Sequence, residues 1–175
     1  RVPVEIFQAD AGILHGAGRE DIDALCYGTG RPFVMEMANP KIRSADLREL
    51  EEAINKSAMP EVEVRLESWS NKKTVEMLKS HKGHKTYRIL VSVDDRISLE
   101  NVQNAVSKLN GAWIAQRTPN RVSHRRADLV RKRQVIGIQV LGIENGLYRL
   151  EVVGDSGLYI KELISGDEGR TSRSE

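Results

Sequence analysis

The sequence predicts an α+β fold in which helices flank a mixed, largely antiparallel sheet. Strand-like runs return on one another through hairpin signals, and helices are inserted between those runs. The length of 175 residues suits one compact core. The expectation is therefore a single domain over residues 1–175, with a loose polar tail at 170–175, after Gly169.

The elements follow in order. Val2–Phe7 and Pro32–Met37 have strand composition and are separated by a Gly-rich stretch holding Gly16, Gly18, Gly28 and Gly30. Ser44 can cap a helix whose apolar positions Leu47, Leu50 and Ile54 recur on one face, and Val62–Leu66 then resumes a strand. Lys85–Val93 alternates, so Tyr87, Ile89, Val91 and Val93 share one face while Thr86, Arg88, Leu90 and Ser92 share the other. Ser98 begins a second helix with the stripe Leu99, Val102, Val106 and Leu109, and Gly111 stands where a left-handed terminator belongs. Val135–Ile143 and Leu147–Val153 are β-rich runs joined through Glu144-Asn145-Gly146, a hairpin signal. Gly154–Gly157 breaks the second run, and Leu158–Ser165 reads as the first turns of a helix.

Composition narrows the class. With 39% hydrophobic and 30% charged residues, 14 Gly and 5 Pro, the chain is not built for long disordered segments. The single Cys26 excludes an internal disulfide and a multi-Cys zinc site, and it fits a reducing, cytoplasmic compartment. No apolar run approaches the roughly 18 residues of a membrane span, and no signal-peptide pattern opens the chain. A soluble, monomeric protein is expected. The net charge of +2 hides an asymmetry: Arg117, Arg121, Arg125, Arg126, Arg131, Lys132 and Arg133 face only Asp128 within one segment, a local +6 that leaves −4 elsewhere. A basic segment on an acidic body reads as a polyanion contact, although a solvated charged face has the same signature.

The stretch Gly18-Arg19-Glu20-Asp21-Ile22-Asp23 follows the first strand and enters the Gly-rich loop. By itself it fits a turn, a surface ion pair, or a poor hard-metal site at Asp21 and Asp23. Two further motifs change its weight. Lys85-Thr86-Tyr87-Arg88 opens a strand and sets Tyr87 66 residues after Asp21, and Gly157-Leu158-Tyr159-Ile160-Lys161-Glu162-Leu163 marks the passage from a strand into a helix. Taken in order, the three resemble the catalytic motifs of the pseudouridine synthases: Gly-Arg-Thr-Asp, a basic residue two before a tyrosine, and a Gly, aromatic, Ile, basic, Leu series. The longer runs Gly18–Phe33, Gln116–Asp128 and Gly157–Thr171 resemble the Pus-ten family of tRNA pseudouridine synthases of archaea and eukaryotes.

That resemblance implies the pseudouridine synthase fold, an isomerase of RNA that uses neither metal nor organic cofactor, and tRNA as partner and substrate at positions 54 or 55 of the TΨC arm. It implies Asp21 as nucleophile or base and Tyr87 and Lys161 as further catalytic residues, with Arg19, Ile160 and Leu163 lining the substrate pocket. The family's amino-terminal half, an accessory RNA-binding domain with a cysteine zinc site, is expected to be absent. Some relatives of the fold place an aromatic after a Gln-x-x-Pro element, where this chain has Arg121.

The chemistry of the residues agrees with these roles. Isomerising uridine breaks the N-glycosidic bond, turns the bound base, and joins C5 to the same sugar carbon, with no redox step. A carboxylate could attack C1′ or C6, or remove a sugar proton. In a pocket dry enough to hold a flipped base, desolvation would neutralise Asp21 unless a cation within ~4–6 Å opposed it, and Lys161, with Arg19 as the alternative, is the expected partner. Tyr87 offers a face on which uracil can stack. Arg117, Arg121, His124, Arg125 and Arg126 are the expected RNA contacts, since arginine forks match phosphate oxygens. Two other classes remain: a non-catalytic RNA-binding module on the same scaffold, and a metal-dependent nuclease using Asp21 and Asp23, which EDTA would inhibit.

Overall fold

The computed structural model describes every residue except Arg19, Ile22 and Glu175. The fold is α+β, and the chain divides into two compact units, Arg1–His81 and Lys82–Glu175, where a single core was expected. The buried cores explain the division. Phe7 and Leu50 are buried in the first unit, whereas the large apolar cluster from Val102 to Leu163 is built wholly by the second.

In the first unit, Val2–Ile6 is a single helical turn, α1, and not the strand expected of its β-branched composition. Pro3 lies in that first turn, where its missing N–H leaves nothing unpaired, and the Phe7 N–H donates to the Pro3 carbonyl at 3.0 Å. The strand belongs instead to Ala11–Gly16 (β1), which pairs antiparallel with Phe33–Ala38 (β2), Ala11 opposite Ala38 and Gly16 opposite Phe33. A Cβ on Gly12 would stand 3.0 Å from Val4, so glycine lets α1 lie close on β1. The helix Leu47–Ala58 (α2) is capped by Asp46 and not by Ser44: the Asp46 carboxylate accepts from the N–H groups of Arg48 and Glu49 at 2.9 and 3.0 Å. Val62–Leu66, expected as a strand, pairs with helix side chains. The Asn55 carboxamide takes both backbone groups of Val64, at 2.9 and 2.8 Å, and Glu51 accepts from Leu66 N–H, which satisfies the groups a neighbouring strand would otherwise serve. Asn71 caps a further helix, Lys72–Ser80 (α3), through Thr74 N–H.

The second unit is a five-stranded sheet. Its strands are Lys85–Val91 (β3), Trp113–Arg117 (β4), Val130–Glu144 (β5), Leu147–Gly154 (β6) and Thr171–Ser174 (β7), in the order β3-β6-β5-β4-β7 with every described pair antiparallel. Helix Leu99–Leu109 (α4) is capped by Ser98, as the sequence indicates. Its Val102 and Val106 join Ile114, Val135, Ile138, Leu150 and Val152 in the core. The β5–β6 hairpin turns at Asn145 and Gly146, both with positive φ (50° and 78°), as a type I′ turn requires. A short helix, Ile160–Ser165 (α5), follows β6.

Thr171–Ser174, within the tail expected to be loose, is a strand. It lies beside β4, with Thr171 opposite Gln116 and Ser174 opposite Trp113. Its polarity suits an edge strand that faces water, and composition alone does not report that pairing. Among the described residues, no helix is long and apolar enough to cross a membrane.

Candidate active site and nucleic-acid interface

Asp21 lies in the first unit; Tyr87, Ile160, Lys161, Leu163 and the basic segment lie in the second. Arg19 falls outside the described residues. The connection between β1 and β2 is closed at its base where Ala17 N–H donates to Pro32 C=O at 2.9 Å. An ion pair between Glu20 and Arg31 crosses the loop just inside that base. Asp21 is the next residue, half-buried, and its carbonyl accepts from Ala24 N–H at 3.1 Å, so the chain turns directly after it. The loop therefore holds the Asp21 backbone between a charged brace and a turn.

In the second unit, Tyr87 stands on β3 opposite Val152 and shares its half-buried face with Ile89 and Val91, the row that the alternation predicts. Lys85 opposes Gly154, the last residue of β6, so β3 begins at the end of the sheet from which the chain leaves towards Lys161. That departure is tightly built. A Cβ on Gly154 would lie 2.5 Å from Leu158, and Gly157 has φ +89° with the Arg133 guanidinium 3.3 Å from where its Cβ would be. Arg133 Nε donates to Ser156 C=O at 3.0 Å, and Gln134 exchanges two bonds with Asp155: its N–H to the carboxylate at 2.8 Å and its carbonyl from Asp155 N–H at 3.0 Å.

The residue that fixes the start of α5 is one to which sequence reasoning gave no role. Gln116 on β4 is 1% exposed, and its carboxamide closes two hydrogen bonds on the Tyr159 main chain. Nε2 donates to Tyr159 C=O and Oε1 accepts from Tyr159 N–H, both at 2.9 Å. A buried carboxamide thus does the work of a strand neighbour, two residues before Lys161. Within α5, Lys161 is exposed, Ile160 half-buried and Leu163 buried, which places Leu163 in the core cluster. The signal available in sequence was a Gln on the inward-facing side of a β-rich run, and β4 was not recognised as a strand.

The basic segment divides into residues with protein partners and exposed ones. Arg121, expected to grip RNA, forks onto Glu162, with Nε and Nη2 donating to the two carboxylate oxygens at 2.6 and 3.0 Å. Its guanidinium carbon also lies 6.0 Å from the centre of the Tyr159 ring. Glu162 is 5% exposed, and a buried carboxylate requires such a partner; Arg121 therefore ties the basic turn to the helix that carries Lys161. Arg117 is paired with Asp128 at 2.6 Å. That hydrogen bond holds the Asp128 carboxyl below the usual carboxylate range. Arg131 donates to Thr118 Oγ1 at 2.7 Å. His124, Arg125, Arg126 and Lys132 are exposed, and the turn that carries the first two, Asn120–Arg125, is anchored by Val122, 3% exposed, and by the buried Pro119. Its base is closed by Thr118, whose hydroxyl donates to Ala127 C=O at 2.7 Å. Among the described residues, no group of three or more His, Cys, Asp or Glu side chains is placed to hold a metal ion.

Comparison with known proteins identifies the family. Residues 2–174 match the family model described as Pus10, C-terminal. The chain is 47% identical over 172 residues to a protein of Korarchaeum cryptofilum named tRNA pseudouridine synthase Pus10, covering 97% of this chain and 46% of that protein. Proteins of the same name from Methanothrix thermoacetophila and Archaeoglobus fulgidus are 46% and 45% identical over 171 residues, covering 98% of this chain and 38% and 47% of their own lengths. The chain thus spans less than half the length of these curated relatives.

Proposed function

The chain belongs to the Pus10 C-terminal family, and from that premise we propose that it carries the catalytic chemistry of a tRNA pseudouridine synthase, isomerising a uridine at position 54 or 55 of the TΨC arm. The observation that carries the reading is Asp21, half-buried between the Glu20–Arg31 brace and the turn that follows it. In this reading Asp21 supplies the carboxylate, as nucleophile towards C1′ or C6 or as the base that removes a sugar proton. The N1–C1′ bond breaks, the uracil turns while bound, C5 bonds to C1′, and the C5 proton is exchanged for one on N1, so the product is an isomer and no co-reactant is consumed.

Lys161 has the role of the basic catalytic residue, and Tyr87 that of the aromatic face on which uracil stacks, worth ~1–3 kcal/mol. Ile160 and Leu163 wall the pocket. Arg125, Arg126, Lys132 and His124 hold the flanking backbone while the base is out of the stack. The test is a carbodiimide map of pseudouridine in a TΨC-arm transcript incubated with the protein, with and without EDTA. A new stop at the target uridine in both, absent with Asp21→Asn, is the expected result. No stop with wild-type protein at saturating concentration overturns the proposal, and RNA binding without a stop favours a non-catalytic RNA-binding module.

A further inference from the structure

The loop that carries Asp21 presents a second feature that the uridine chemistry does not use. Leu25 and Tyr27 are 76% and 83% exposed, more than any other large apolar side chain of the described residues. Burying apolar side chains stabilises a fold, so leaving two of them close together in water is a cost that the fold itself does not recover. Their backbone is ordered by specific bonds. Tyr27 C=O accepts from Gly30 N–H at 3.3 Å, and Gly28, the first central residue of that turn, has φ +68°, the sign a type II′ turn requires. Nothing lies within 4 Å of where a Cβ on Gly28 or Gly30 would be, so the tip of the loop stands clear of other atoms.

Distance ties this tip to the chemistry. The Asp21–Ala24 turn keeps its end Cα atoms within ~7 Å, and three further residues span at most ~10 Å, so the Tyr27 Cα stays within ~17 Å of the Asp21 Cα, a few nucleotides at most from the one on Asp21. Extracting a base from the stack is unfavourable and leaves a gap. Apolar and aromatic side chains inserted between bases fill such gaps, and stacking on them offsets part of that cost.

Resting on the function proposed above, we infer that Leu25 and Tyr27 are an apolar wedge that enters the RNA stack beside the target uridine, with Tyr27 stacked on the neighbouring base. The ligand is an unmodified nucleobase flanking the target, recognised by its face and not by its hydrogen-bonding edge.

Two measurements test this. In the Asp21→Asn background, where no chemistry occurs, a TΨC hairpin carrying 2-aminopurine next to the target uridine is titrated to saturation. The bound-state fluorescence change should fall at least threefold in the additional Tyr27→Ala variant and persist in Tyr27→Phe, with unaltered melting curves for all three. With Asp21 intact, Tyr27→Ala should slow single-turnover isomerisation at least tenfold on the hairpin. On an all-pyrimidine single strand bearing the same uridine, whose bases stack poorly, the slowing should be under threefold. An unchanged fluorescence response in Tyr27→Ala, equal slowing on both RNAs, or a Phe variant as defective as Ala overturns the wedge. Failure of the functional reading looks different: wild type would form no pseudouridine on either RNA, whatever the fluorescence shows.

Discussion

Replacing Gln116 by Leu keeps nearly the same volume and removes both hydrogen bonds to Tyr159. The two losses differ in size. Tyr159 C=O still accepts from Leu163 N–H at 2.9 Å, so its share is the net worth of one hydrogen bond, about 0.5–1.5 kcal/mol. Tyr159 N–H loses its carboxamide acceptor in a part-buried position, and an unsatisfied donor costs about 1–3 kcal/mol. Together the substitution should lower stability by about 1.5–4.5 kcal/mol. Urea unfolding of the second unit reads this from Trp113 fluorescence in a Trp69→Phe background, which retains an aromatic ring against Phe7. At urea concentrations where both variants remain folded, isomerisation should fall further than RNA affinity, because the start of α5 and Lys161 with it is no longer held. A stability loss under about 0.5 kcal/mol would mean that the Tyr159 main chain finds other partners. An undiminished rate would mean that the carboxamide does not set the position of Lys161.

Asp21→Asn should remove isomerisation and leave RNA affinity within about threefold, as measured by single-turnover conversion beside filter binding. Tyr87→Phe should retain part of the activity and Tyr87→Ala should lose it, since the stacking face survives only in the first. Replacing Arg125, Arg126 and Lys132 together should reduce the log–log salt slope of RNA binding by ~0.7–0.9 for each phosphate no longer neutralised, whereas Arg121→Ala should chiefly destabilise the fold by stranding the buried Glu162; a steep slope change from Arg121→Ala alone in a fully folded protein would reverse that assignment. The Asp94 carboxyl is pulled down to about 2, first by the Arg96 side chain and then by the Arg96 backbone N–H. A group depressed in the folded state contributes stability that is complete above its unfolded value, ~3.9, and that is lost as pH falls towards about 2. Arg96→Ala removes only the side-chain bond, so the Asp94 carbon resonance should then titrate closer to the ordinary value.

Much of the second unit was legible because its signals are local. The alternation in β3, the Ser98 cap and the Asn145-Gly146 turn are each decided within a few residues, and the structure has them where the sequence places them. Most departures involve partners distant in sequence. Val62–Leu66 has strand composition, but its hydrogen bonds go to Asn55 and Glu51. Thr171–Ser174 is polar and pairs because β4 offers an edge. Val2–Ile6 is the local exception, where Pro3 and the Phe7 bond make a helical turn of β-branched residues. The same distinction holds at the candidate site. Resemblance to the pseudouridine synthase motifs singled out Asp21, Tyr87 and Lys161, but the positive charge of the basic segment does not reveal that Arg121 answers Glu162, 41 residues away, or that Arg117 answers Asp128. Gln116 escaped notice for the same reason, since its partner is a backbone 43 residues along the chain.

The Gln116 bond also has a consequence for the order in which the molecule assembles. Residues 116, 159 and 171 come from three separate segments and meet on one carboxamide, which reaches Thr171 Oγ1 at 3.5 Å as well as Tyr159. Closing loops of this length carries an entropy that must be recovered by interactions formed at the same time. The turn into α5 therefore cannot take its final form while β4 is unpaired, and β4 is complete only when β7 has docked along it. A nascent or partly unfolded chain can have a helix at 160–165 and still lack the geometry that places Lys161, so competence for chemistry should appear in refolding as a late, all-at-once event, after most of the secondary structure has formed.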